Sequence, residues 1–210
     1  MYLVRHDLAL LQATCLTPVG VPTPGLRLEE LRADQPAAVS DTYRTLEHKH
    51  PAGRIERRFA NGLRFGRLWL HDRIAGSLWV VHEGHRYIDE MNWRLPIGAH
   101  QFWLRDVFIA PALRGQRLFL QMLHLVAREW LAEFESAWSD VDWDNAASLR
   151  AHQAAGFVVR HRVRALDLNG RLRWRDPLLP WTGEVRALEP AHRLLWLRGE
   201  RLQQHRDWVA

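Results

Sequence analysis

The residues with the most explicit chemistry stand together in one stretch, "APALRGQRLFLQML", from Ala110 to Leu123. Backbone amides at the start of a helix are unpaired donors at the positive end of its dipole, so a loop feeding that start can grip a phosphate or pyrophosphate. Arg114, Gly115, Gln116, Arg117, Leu118 and Phe119 occupy this junction. Arg117 decides how well. If its backbone needs positive φ, a side chain hinders close approach to phosphate; at helical φ it is tolerated and its guanidinium adds a donor. Further on, Asn145 opens "NAASLRAHQAAGF", where a helix N-cap accounts for it without any ligand. Gly156-Phe157 at the end of that segment reads as a helix stop and a core anchor.

The elements that must hold these residues follow from periodicity. His100 to Ile109, "HQFWLRDVFI", predicts a strand ended by Pro111, and after the loop Phe119, Leu123, Val126, Ala127 and Trp130 recur at helical spacing. A strand over about Ser136 to Trp143 leads into a helix capped by Asp144 or Asn145 and closed by Gly156. The following "FVVRHRVRALDLNGRLRWR" predicts a hairpin with Asn169-Gly170 in a type I′ turn. Upstream, "TPVGVPTPG" reads as a linker between an N-terminal arm and the domain proper. Then come a strand "LRLEEL", a helix from Asp34 as N-cap to about Glu47, a short helix over Arg54 to Ala60, and a three-strand meander. The expected organisation is an arm and linker over 1–25, a domain over 26–175, and a connector with a terminal helix over 176–210. That helix must cover either the domain or a second subunit, so a homodimer through it is one expectation. The class is α/β (mixed α+β), a central sheet covered on both faces by helices.

Two segments resemble the motifs of a known superfamily. "VFIAPALRGQRLFLQML" resembles motif A of the GNAT N-acyltransferases, a loop written Q/R-x-x-G-x-G/A after a strand ending in V-x-P; "NAASLRAHQAAGF" resembles their motif B. The resemblance covers about Leu63 to Arg164 and departs from the pattern at Arg117 and Phe119, where the family carries small residues. It implies a mostly antiparallel twisted sheet with one parallel strand pair that splays open to admit a pantetheine arm. It implies acetyl-CoA or another acyl-CoA as co-substrate, bound by Val107, Phe108, Ile109, Arg114, Gly115, Gln116, Arg117, Leu118, Phe119 and Asn145. It implies direct transfer to a small-molecule amine acceptor, with no metal and no covalent enzyme intermediate. Amides near Phe108 and Ile109 would polarise the thioester carbonyl. The family's acid for the thiolate, a tyrosine seven residues after the asparagine, falls on His152, a residue that donates protons near neutral pH or is simply an exposed helix histidine. Asp106 falls where an acidic residue is common in the family, as base or as a carboxylate pairing an arginine such as Arg105 or Arg114. Glu90, His82 and His85 are weaker candidates for the base.

Composition narrows the alternatives. The 210 residues, 47% hydrophobic, suffice for one well-buried core. The single cysteine, Cys15, excludes an intramolecular disulfide and a multi-cysteine zinc site; it fits a reducing compartment, places the protein in the cytoplasm, and reads as a small buried residue. No stretch approaches the roughly 20 apolar residues of a membrane span. The net charge of +5 comes from arginines scattered among apolar residues, without the dense basic patch of a nucleic-acid binder. The competing reading is a GNAT-like fold that has lost catalysis and serves as a binding or regulatory subunit. Retained CoA binding separates the two.

Overall fold

The computed structural model describes residues 3–48, 54–88, 93–131, 133–168 and 171–177. Its strands are β1 (Leu3–Ala13), β2 (Leu26–Leu31), β3 (Leu63–Leu70), β4 (Arg73–Ile88), β5 (Trp93–Ile109), β6 (Ser136–Asp142), β7 (Val158–Leu168) and β8 (Arg171–Pro177). Its helices are α1 (Pro36–Thr45), α2 (Ile55–Ala60), α3 (Leu118–Trp130) and α4 (Ala146–Ala154), with a 3-10 turn at Pro111–Leu113. The strands form one sheet in the order β2-β3-β4-β5-β6-β1-β7-β8. Among the described strands only β5 and β6 run parallel, and they pair from Gln101–Ser136 to Leu104–Ser139. Beyond Leu104 the two strands part, which opens the sheet at its centre.

Side chains alternate across the sheet, and each face has its own core. On the first face α3 buries Leu118, Met122, Leu123 and Val126 against Leu78, Val80, Phe102 and Leu104. Fully burying each such side chain is worth roughly 1.5–3 kcal/mol, so this stripe of α3 fixes the helix, and with it the loop that enters it. On the second face α1 and α2 pack Val39, Tyr43 and Ile55 against Phe65 and Trp79. The far end of the β4–β5 hairpin covers the rest of that face: Ile88, Leu95 and Ile97 join the cluster of Trp103 and Trp138. Two tryptophans of this cluster have their N–H groups bonded. Trp79 donates to the Tyr43 hydroxyl at 2.8 Å and Trp103 to Asp140 at 2.6 Å. Asp140 also holds Arg86, at 2.9 Å.

The main departure from expectation is the N-terminus. Residues 3–13 are a central strand, β1, antiparallel to β6 on one side and β7 on the other. Ala9, Leu11 and Ala13 enter the first core; Leu8 and Leu10 enter the second. A strand buried on both faces reads as a continuous apolar run, so the alternation that marks half-buried strands is missing from it. The proline-rich stretch after it is no free linker. Thr23 and Gln121 on α3 exchange two hydrogen bonds, and Thr17 donates its N–H to the Ala155 carbonyl at 3.1 Å. Cys15, expected to be buried, is exposed in this crossing, because the chain has already left the sheet at Ala13.

Smaller differences have local causes. Gln35 rather than Asp34 caps α1, since Pro36 takes the first helical position. The meander's last strand and the strand before the loop are one element, β5, running through Pro96 and Gly98. Pro96 lies opposite His85, next to a register shift between His82 and Gly84, and a proline is accommodated where the ladder is already irregular. The splayed parallel pair, the helices on both faces and the 158–177 hairpin follow expectation. The terminal helix expected from about Pro190, and the turn expected at Asn169-Gly170, fall outside the described residues. No described helix is long and apolar enough to cross a membrane.

Candidate functional site

A groove of about 670 Å³ lies against the end of β5, past the point where its pairing with β6 stops, with the loop before α3 on one side and α4 on the other. Its loop wall is built from unusual backbone. Gly115 has φ +79°, and Arg117, the N-cap of α3, has φ +57° and ψ +19° in the left-handed region. A glycine is the ordinary occupant of such a position, because a Cβ there crowds the following carbonyl. The Arg117 side chain makes no capping hydrogen bond, and the first intrahelical bond is Gln121 N–H to the Arg117 carbonyl. The amides of Leu118, Phe119 and Leu120 therefore enter α3 without an intrahelical acceptor. Leu118 is buried, while Arg114, Gly115, Gln116 and Arg117 are exposed. Arg114 turns back to donate to the Ile109 carbonyl at 3.2 Å and lies over the Phe108 ring.

The strand wall supplies further donors. Ala110 gives its N–H to Ala75 on β4. Alternation along an antiparallel pair then turns the amide of Phe108 toward β4 and those of Val107 and Ile109 toward the open gap. Opposite them, α4 shows the groove a face of small residues, Ala147, Ser148, Ala151, Ala154 and Ala155. Asn145 caps this helix by accepting the Ser148 N–H at 3.1 Å and also lines the groove. Sequence reading passed over the small face, although its signal was present as alanines at helical spacing in "NAASLRAHQAA". Gly156 ends α4 at φ +100°, where a Cβ would stand 2.6 Å from the Cys15 carbonyl oxygen.

His152 is neither exposed nor idle. It lies buried at the groove, between the rings of Phe119 and Phe157 at 4.8 and 5.1 Å. Its Nδ1 is 2.8 Å from the Ser148 carbonyl and its Nε2 is 2.9 Å from the Ser139 hydroxyl. Burial pushes its pKa below the ordinary histidine value, with the Ser148 carbonyl and Asp140 pulling the other way. A carbonyl can only accept, so the neutral ring carries its proton on Nδ1 and receives the Ser139 hydroxyl proton at Nε2. Phe119 packs on this ring and on the first core, which explains a large residue in the first turn of α3.

Asp106 lies outside the groove wall. It sits at φ +44° in a register shift of β5 against β4, and its carboxylate meets Arg58 of α2 at 2.6 Å. The close ion pair is made with Arg58, brought over by α2, while Arg105 acts on the carboxylate electrostatically and Arg114 turns instead to the Ile109 carbonyl. Burial raises the Asp106 pKa, but Arg58 and Arg105 outweigh that and hold the carboxyl below its usual range. Such a carboxylate is a weak base. Arg58 is itself buried and lies over Trp79. Beside this pair His48 stacks on Phe108 at 4.4 Å and on Tyr43 at 5.2 Å. Nothing in the sequence marked His48, Arg58 or Tyr43, which α1 with the turn that ends it and α2 bring together. His82 is half-buried and His85 exposed, neither lining the groove, and Glu90 lies outside the described residues.

The structure thus gathers Val107, Phe108, Ile109, Arg114, Gly115, Arg117, Leu118, Phe119, Asn145 and His152 around one groove, and leaves Gln116 and Asp106 off its wall. Among the described residues no group of three or more His, Cys, Asp or Glu side chains could hold a metal ion.

No family model matches the sequence, and no curated protein matches it. Solved structures do. A protein from Novosphingobium aromaticivorans described as an acetyltransferase of the GNAT family superimposes with a TM-score of 0.50 at 16% identity, over 78% of this chain and 64% of that one. A protein of unknown function from Staphylococcus epidermidis superimposes with a TM-score of 0.52 at 9% identity, over 78% of this chain and 61% of that one. This chain therefore spans less than two thirds of either protein's length.

Proposed function

The chain has the fold of the GNAT acetyltransferases, and on that premise we propose that it is an acyl-CoA-dependent N-acyltransferase. It moves an acetyl group from acetyl-CoA to a primary amine of a small molecule or amino sugar, by direct attack in a ternary complex. The observation that supports this most is the convergence on one groove of three features that separate elements supply: the β5–β6 opening, the uncapped start of α3, and the small-residue face of α4. Its volume lies within the range of sites that bury a small-molecule ligand.

In this reading the Leu118 to Leu120 amides, with Arg114 and Arg117, take the pyrophosphate. The pantetheine arm lies between β5 and β6 as an added strand and uses the β5 edge for backbone hydrogen bonds. The Val107 and Ile109 amides stabilise the oxyanion that develops when the amine lone pair attacks the thioester carbonyl carbon. The C–N bond forms, the C–S bond breaks, the amine gives up one proton and the thiolate takes one. His152 is the residue assigned to the thiolate: in its imidazolium form it gives one proton to the sulfur and is left neutral, and solvent restores that proton after product leaves. Asp106 is assigned to holding Arg58 rather than to proton transfer. A thermal-shift series with acetyl-CoA, longer acyl-CoAs and free CoA tests the reading. A ligand at 100 times its dissociation constant stabilises the native state by about 2.7 kcal/mol, and no shift with any of them refutes the proposal.

A further inference from the structure

Resting on the acyltransferase reading, we propose that Thr17 is a binding residue for the adenosine end of CoA, so that the crossing between β1 and β2 supplies a third wall of the groove. Thr17 lines the groove, although it lies about a hundred residues before the loop and helix that form most of the wall. The crossing holds it firmly. Leu16 is buried in the first core and Val19 packs against that core, which anchors the chain on both sides of Thr17. The Thr17 N–H donates to the Ala155 carbonyl at the end of α4, and the Thr17 carbonyl accepts from Nε2 of His124 on α3 at 3.0 Å. Thr17 therefore spans the two helices. Pro18 follows it and keeps its backbone out of the helical region. Gly156 lets the crossing come this close, since a Cβ there would stand 3.1 Å from the Thr17 nitrogen and 3.4 Å from its hydroxyl oxygen. Both bonds to the helices use the Thr17 backbone, and the side chain of this exposed residue takes part in neither.

The order of groups along CoA assigns the contact. The pyrophosphate joins the pantetheine arm on one side to adenosine, with its 3′-phosphate, on the other. With the pyrophosphate at the start of α3, the arm goes inward to where β5 and β6 part, and the adenosine goes the opposite way, over the space between α3 and α4. The groove wall there consists of Leu120 on α3, Ala154 and Ala155 at the end of α4, and Thr17 bridging them. Of these residues only Thr17 has a side chain that forms hydrogen bonds. The apolar side chains suit the adenine ring, and the Thr17 hydroxyl donates to an oxygen of the ribose 3′-phosphate.

The test compares CoA, 3′-dephospho-CoA and 4′-phosphopantetheine by calorimetric titration and competition on wild type, Thr17→Val, Thr17→Ser and Thr17→Glu, with melting curves alongside. Thr17→Val keeps the side-chain shape and both backbone bonds, so it is expected to melt as wild type does and to bind CoA about two- to tenfold more weakly, the effect of one hydrogen bond. Its affinity for 4′-phosphopantetheine stays at the wild-type value, and Thr17→Ser, which keeps the hydroxyl, retains the wild-type affinity for CoA. Thr17→Glu discriminates against CoA more than against 3′-dephospho-CoA, and added salt narrows that difference. Wild-type CoA affinity in Thr17→Val overturns the assignment. So does a loss that 4′-phosphopantetheine shares equally, which would put Thr17 against the arm, and so does an equal loss in Thr17→Ser, which marks a packing role. A wild type that binds no CoA at all is a different result: it removes the acyltransferase reading, and it shows in the first titration before any variant is compared.

Discussion

Replacing Arg117 with glycine should make the protein more stable and a poorer binder of CoA at once. Arg117 holds φ +57° at the N-cap of α3, and the left-handed region costs a residue with a Cβ about 1–2 kcal/mol. Glycine relieves that cost but gives the unfolded chain extra freedom worth roughly 0.5–1 kcal/mol. The net gain is about 0.5–1 kcal/mol, or about 1–4 °C in melting temperature for a chain of this size. The same change removes an exposed guanidinium beside the start of α3. Loss of one charge-assisted contact to phosphate in an exposed setting is worth on the order of 1 kcal/mol, about fivefold in the dissociation constant. Paired melting curves and CoA titrations of wild type, Arg117→Gly and Arg117→Ala separate the two effects, because alanine keeps the Cβ and loses only the charge. A lower melting temperature for the glycine variant would show that the left-handed backbone stores no strain. Tighter CoA binding would show that the side chain obstructs the phosphates instead of holding them.

Other outcomes follow from the same geometry. Gly156→Ala places a Cβ 2.6 Å from the Cys15 carbonyl oxygen at φ +100° and should cost more than about 1 kcal/mol, read as a drop in melting temperature; an unchanged melt would mean that the β1–β2 crossing shifts freely. His152→Ala should lower turnover at saturating substrate, and full turnover there removes His152 from the chemistry. Stability should fall with acid in two stages. His48 and His152 have pKa values below the ordinary 6.5, so the unfolded chain binds more protons and stability drops as pH falls below about 6.5 toward their folded values. Asp106 lies below its ordinary 3.8, so its contribution is lost as pH falls below about 3.8. A urea midpoint that stays flat from about pH 7.5 to 5 would contradict the first stage.

Legibility in the sequence followed the range of the interactions involved. The loop before α3, the capped start of α4 and the β5–α3–β6–α4 order are written in local signals: Pro111, Gly115, the stripe from Phe119 to Trp130, Asn145 and Gly156. With the family resemblance they mark the loop and strand walls of the groove and Asn145 and His152 on α4, but not the small-residue face of that helix, nor Thr17, Leu113 and Leu120. What escaped was non-local. Strand β1 is apolar on both sides, and only its partners β6 and β7, more than a hundred residues away, identify it as the middle of a sheet. The Arg58–Asp106 pair and the stack of His48 on Phe108 join residues whose sequence neighbours give no hint of the contact. For the backbone of Arg117 the sequence leaves positive and helical φ open; a residue with a Cβ prefers the helical one, and the structure has φ +57°.

The most direct test of the account is a calorimetric titration of acetyl-CoA into wild type and Ala151→Trp in parallel. Ala151 is exposed on α4 and lines the groove, so an indole there fills the space without entering the core. The account predicts saturable one-to-one binding to the wild type, and its loss in a variant that melts as the wild type does. Binding that survives Ala151→Trp, or none to the wild type, would contradict it.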